Sequence, residues 1–71
     1  MTQTEFYINA AYYAAQELDL DLPINPTVED FEDAVYTYAH DVTYTEFGNT
    51  NEVSLSQKQT GKLSQLIRDI W

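Results

Sequence analysis

TVEDFEDAVYTYAHDV, residues 27–42, is the stretch whose reading decides the fold. Val28, Phe31, Val35, Tyr38 and Val42 recur at spacings of three and four, with Ala34 and Ala39 beside them. At about 100° per residue they share one face of a helix. Glu29, Glu32, Asp33, Asp41 and, at the edge, Asp30 take the remaining arc with Tyr36, Thr37 and His40, and no Lys or Arg stands among them. Thr27 can cap this helix while Asp30, three residues on, reaches back in a capping box. Acids in the first turns also suit the positive end of the helix dipole. That accounts for two or three of them more readily than for four.

On the N-terminal side, Asp19–Pro26 reads as a connector. Pro23 and Pro26 each fix their own φ and turn the preceding residue away from helical geometry. Leu20, Leu22 and Ile24 alternate with polar or proline positions, which predicts a connector lying along the core with all three buried. Asp19 and Asp21 begin like an EF-hand loop, but Pro23 and Ile24 stand where that loop needs an oxygen ligand and a glycine. Before the connector, Thr2 or Thr4 can cap a helix running to about Leu18, with Ala10, Ala11, Ala14 and Ala15 favouring it. Tyr7, Ile8, Ala11, Ala15 and Leu18 form one apolar face, and Phe6 and Tyr13 lie roughly opposite. A helix oily on more than one side is read as the central one; the alternative is that Phe6 and Tyr13 face a partner.

On the C-terminal side the end of the acidic helix has two readings. Gly48 can supply a left-handed cap to a helix reaching Phe47. Val42–Phe47 is also strand-prone, and Phe47-Gly48-Asn49-Thr50 suits a short turn, so a short hairpin within residues 42–53 is the alternative. Because Tyr44 and Phe47 leave the apolar phase, the regular helix is predicted to end near Tyr44. A polar loop over Asn49–Val53 leads to a last helix from about Ser54 or Ser56 to Ile70. Its stripe is Leu55, Leu63, Leu66, Ile67 and Ile70, with Trp71 as an aromatic end and Gly61 toward solvent. The fold class is therefore all-α: a small three-helix bundle forming one domain over residues 1–71, with one proline-bearing connector and one polar loop.

Charge is the unusual feature of these 71 residues: 12 Asp and Glu oppose three Lys and Arg, a formal net charge of −9. The imbalance is segregated, since eleven of the acids and none of those bases fall between Met1 and Gln57. Lys58, Lys62 and Arg68 all lie in the last helix, with Lys58 and Lys62 on one face pointing outward or toward the acidic helices. At 44% hydrophobic the composition is that of a folded domain. There is no cysteine to brace it by disulfides or thiolate metal clusters. The N terminus lacks a basic n-region and a long apolar run, so neither a signal peptide nor a membrane span is expected and the cytoplasm is the default location. The field repels nucleic acid and anionic membrane and attracts basic protein surfaces. Solubility alone accounts for such a surface about as well.

Catalytic parts are absent from the residue list. Without Cys, with one His and with no serine in a nucleophile-elbow setting, nucleophilic catalysis is not expected. Isolated Gly48 and Gly61 cannot make a phosphate loop. His40, with Tyr36 one turn before and Tyr44 one turn after, reads as a solvated imidazole rather than an acid–base group. Adjacent helical carboxylates make a poor cation cage, so no metal or other cofactor is expected.

Glu29, Asp30, Glu32 and Asp33 place four charges along about one turn, where a helix rises ~1.5 Å per residue and duplex DNA carries a charge every ~1.7 Å. Asp19, Asp21, Asp41 and Glu46 extend this field if the fold sets them alongside. The expected function is that of a non-enzymatic inhibitor and DNA mimic, one that occupies the basic surface of a nucleic-acid-binding protein without touching nucleic acid itself. Its size and charge suit the anti-restriction or anti-CRISPR products of phages and mobile elements. The expected partner-binding residues are Glu29, Asp30, Glu32, Asp33, Tyr36, His40 and Asp41. The alternative is a structural or adaptor subunit that assembles, as a homodimer or on a larger body, through Phe6, Tyr13 or Trp71.

Overall fold

A computed structural model describes all of residues 1–71 as three helices: α1 (Gln3–Glu17), α2 (Val28–Phe47) and α3 (Gln57–Ile70). Each begins with a complete capping box: Thr2 with Glu5, Thr27 with Asp30, and Ser56 with Gln59. In each, the cap hydroxyl accepts from the third helical amide while the side chain at that position accepts from the cap amide, satisfying two otherwise orphaned donors.

Helix α1 runs antiparallel to α2, since Phe6 meets Phe47 edge-on at 5.4 Å and Tyr13 meets Tyr38 at 6.3 Å. Ala11, between these ring pairs, and Ala14 and Ala15, just beyond the second, are buried. Small side chains there let the backbones approach closely, and Phe31, Val35 and Ala39 of α2 complete the core with Leu63 and Ile67 of α3. Ile8 and Tyr12, on another side of α1, border Leu63 of α3. The helix is thus oily on more than one side because it has a neighbour on each, a position it shares with α2 and α3, since every pair of helices is in contact. Helix α3 returns antiparallel to α2, with the Tyr36 hydroxyl 2.9 Å from Ser64 Oγ and the Phe31 ring 5.2 Å from that of Trp71.

Three expectations need correction. Helix α2 runs to Phe47 rather than stopping near Tyr44, and residues 42–53 form no hairpin. Gly48 at φ 80° donates its amide to Tyr44 O at 2.7 Å, and the Phe6–Phe47 contact anchors the last turn, so capping and packing outweigh strand propensity. Thr43, not an apolar residue, takes the buried position of that turn, its hydroxyl donating to Ala39 O at 2.7 Å. The third correction is Ile24, which is 93% exposed. Leu20 and Leu22 pack on the core as expected, but the chain bends at Ile24 and Asn25, where Asn25 adopts φ 56°. The period-two alternation ends at that bend.

The loop between α2 and α3 is pinned to the start of α1. Buried Gln3 donates from Nε2 to Asn49 Oδ1 at 3.0 Å and accepts the Glu52 amide at Oε1, also at 3.0 Å. Thr4 Oγ1 accepts the Ser54 amide at 3.0 Å. The acidic helix is therefore held at both ends, by Gly48 and this clamp at one and by its capping box at the other. No helix is long and apolar enough to cross a membrane.

Candidate protein-binding surface on helix α2

The seven expected site residues all lie on α2, but they do not share one direction. Glu29 and Glu32 lean toward α3, where Arg68 Nη2 lies 4.0 Å from Glu29 Oε1 and 2.7 Å from Glu32 Oε1. The side chain of Glu32 is only 14% exposed. Tyr36 lies on the same flank, half-buried and bonded to Ser64. These three residues join two helices, and the acidic arc is free of bases only in sequence: α3 brings a base to one flank.

The other flank keeps its charge. Asp30, Asp33 and Asp41 fall within about 80° of one another around α2. With Asp21 of the connector they line a groove of about 460 Å³, walled by Leu20, Pro23, Ala34 and Tyr38, with no basic residue in its lining. One oxygen of Asp30, Oδ2, accepts the Thr27 amide at 2.9 Å. Asp33 takes part in no ion pair, and Asp41 has only His40 within reach, Nδ1 to Oδ1 at 3.7 Å.

His40 is exposed, with Nε2 3.4 Å from Thr50 Oγ1. It borders a second cleft, of about 490 Å³, with Tyr7, Asp33, Tyr36 and Thr37. Here burial, and secondarily the neighbouring Tyr36, raises the pKa of the Tyr7 phenol above its ordinary value, which favours the neutral ring. Asp33 and Thr37 border both clefts and form the ridge between them. No three His, Asp or Glu side chains converge to hold a metal ion.

Two groove residues were given lesser parts by sequence reasoning. Asp21 belongs there because the connector folds back along α2, a tertiary outcome its position before Pro23 does not reveal. Tyr38 follows the apolar stripe, yet it packs one side of its ring on Tyr13 and presents another edge to the groove, as an amphipathic side chain can. Asp19 and Glu46 are exposed and lie outside both clefts. Lys58 and Lys62 are exposed and make no ion pair.

The chain matches no family model, and no curated protein or solved structure is significantly similar to it.

Proposed function

We propose that this protein is a non-enzymatic, acidic binding inhibitor that occupies the basic nucleic-acid-binding surface of a partner protein in the cytoplasm. One observation carries the reading: Asp21, Asp30, Asp33 and Asp41 share a single groove with no base in it, on the flank of α2 away from Arg68. A lysine- or arginine-rich surface built for phosphates meets there a comparable run of negative charge and sheds its counterions in the same way. Leu20, Pro23 and Tyr38 supply apolar and aromatic area beside the charge, which a bare acidic tail would lack. Chains of this size and charge suit phage or mobile-element proteins directed against restriction or CRISPR machinery.

The adaptor reading draws less support. Phe6, one of its candidate docking rings, packs on Phe47 within the fold, while Tyr13 and Trp71 pack on Tyr38 and Phe31 and each leaves about half of its surface to solvent, separately rather than as one apolar face. The test is competition. Binding of a basic nuclease or repressor to labelled DNA is measured with and without the protein across a salt series, using the natural chain and the Asp33→Asn/Asp41→Asn variant. Displacement that weakens with salt and with the double substitution supports the proposal. Absence of displacement at low salt removes it.

A further inference from the structure

The cleft on the other side of the Asp33–Thr37 ridge has a different chemistry from the aspartate groove. Its lining combines two phenol rings, one carboxylate, one imidazole and one hydroxyl: Tyr7, Tyr36, Asp33, His40 and Thr37. The two rings are close to parallel, with an interplanar angle of 12° and centroids 6.5 Å apart. Their setting is fixed before any ligand arrives, because Tyr36 is bonded to Ser64 at 2.9 Å and Tyr7 comes from the core-packed α1. Asp33 at the rim has no cation of its own.

Ligand classes can be sorted by this lining. Anions are repelled by Asp33 and by the net charge of −9. A divalent cation needs several oxygen ligands, and the cleft offers one carboxylate. An ammonium group is compact and strongly hydrated and gains little from an open aromatic wall. A guanidinium is planar, weakly hydrated and able to stack on a ring while its edge pairs with a carboxylate. We propose that the cleft bordered by Tyr7, Tyr36, Asp33 and His40 is a receptor for an arginine side chain of the partner. The guanidinium lies against the tyrosine rings and pairs with Asp33, and Thr37 Oγ1 offers a further acceptor. This deepens the inhibitor reading and rests on it. It separates two kinds of contact on one helix: charge matching in the aspartate groove, and arginine selection across the ridge.

The test uses the full chain and two probes of equal charge, a hexa-arginine and a hexa-lysine peptide, titrated at low and at moderate salt and followed by NMR. Hexa-arginine is expected to move the ring protons of Tyr7, Tyr36 and His40 and to bind about three- to fivefold more tightly than hexa-lysine. Asp33→Asn, at an exposed position, is expected to remove most of that preference. Tyr36→Phe keeps the ring face, still packed against Tyr7, but loses the Ser64 bond, and is expected to retain more of the preference than Asp33→Asn does. Equal affinities, or shifts confined to residues around Asp21 and Asp41 with the three rings unmoved, would overturn the arginine site while leaving the acidic surface in place. Failure of both peptides to bind at low salt would remove both readings.

Discussion

Arg68 Nη2 sits 2.7 Å from Glu32 Oε1 and ties the last turn of α3 to the second turn of α2. The two partners are unequal, because the Arg68 side chain is 48% exposed and that of Glu32 only 14%. Glu32 Oε1 is shielded from solvent and makes no hydrogen bond of good geometry, so the guanidinium is its main compensation. Removing the cation leaves a largely desolvated carboxylate, whereas removing the exposed Glu29, 4.0 Å from the same nitrogen, removes a surface charge. Arg68→Met is expected to destabilise the protein by about 1–2 kcal/mol, and Glu29→Gln by less than about 0.5 kcal/mol. Thermal denaturation separates these outcomes, since for so small a domain 1 kcal/mol corresponds to about 4–8 °C. Addition of Glu32→Gln to Arg68→Met should recover part of the loss, and equal losses from Arg68→Met and Glu29→Gln would refute this assignment.

The same substitution at the two glycines is expected to act with opposite signs. An added methyl group would meet nothing within 4 Å at either Gly48 or Gly61, so sterics with neighbours do not distinguish them. Gly48 holds φ 80° at the end of α2, where alanine is strained by about 1 kcal/mol. Gly61 is an exposed interior position of α3, where alanine is favoured by about 1 kcal/mol. Gly48→Ala should lower the melting temperature and Gly61→Ala raise it, and shifts of the same sign would contradict the cap.

What could be read before the structure was known followed from how local each determinant is. Thr27 with Asp30 needed only a three-residue rule, and the stripe from Phe31 to Val42 only a helical period. The choice of Thr2 over Thr4 and of Ser56 over Ser54 was not local. The two candidates that do not cap lie 50 residues apart and bond to each other, the Ser54 amide donating to Thr4 Oγ1. The course of α2 past Tyr44 depended likewise on Phe6, far away in sequence. At the candidate site the acidic character of α2 was legible, but its division was not. Only the approach of α3 sends Glu29 and Glu32 to Arg68, and only the folded connector brings Asp21 to Asp30, Asp33 and Asp41.

Gln3 offers a test of the loop clamp. It is 6% exposed, and its amide group serves Asn49 and the Glu52 backbone together. Truncation at Gln3→Ala releases the Glu52 N–H and frees the loop. A stability loss of about 1–2 kcal/mol is expected, since both hydrogen bonds of the buried Gln3 amide are lost while the exposed Glu52 N–H turns to water. Hydrogen exchange should quicken first at the Glu52 amide and its neighbours, with α2 protected until global unfolding. Uniform acceleration over the whole chain would mean that the clamp has no local role.

Salt should stabilise this protein. The Asp21, Asp30, Asp33 and Asp41 carboxylates crowd one groove, and the chain carries a net charge of −9. At low ionic strength this self-repulsion opposes the compact state. The attractive Arg68–Glu32 pair is partly shielded, so added ions weaken it less than they weaken repulsion between exposed carboxylates. The melting temperature is expected to rise as salt is increased to about 0.5 M, and the rise should shrink in Asp33→Asn/Asp41→Asn. A flat or falling response would show that the groove charges are already compensated.

Acid should act on the start of α1 through Glu5. Hydrogen bonds from the Thr2 backbone, and next from its side chain, hold the Glu5 carboxyl below its ordinary pKa of 4.5. The folded state therefore favours the ionised form. Its contribution is present above the ordinary value and is lost as pH falls through the lowered one. Glu5→Gln keeps a side-chain carbonyl able to accept the Thr2 amide, as Gln59 accepts that of Ser56 at 2.9 Å in α3. The variant should therefore form the same box without titrating. Melting temperatures followed from about pH 7 down to about pH 3 should fall less steeply for Glu5→Gln than for the natural chain. The two curves should be closest at the acid end, where the natural carboxyl is itself protonated. Parallel curves over the whole range would show that the capping box draws no stability from the charge of Glu5.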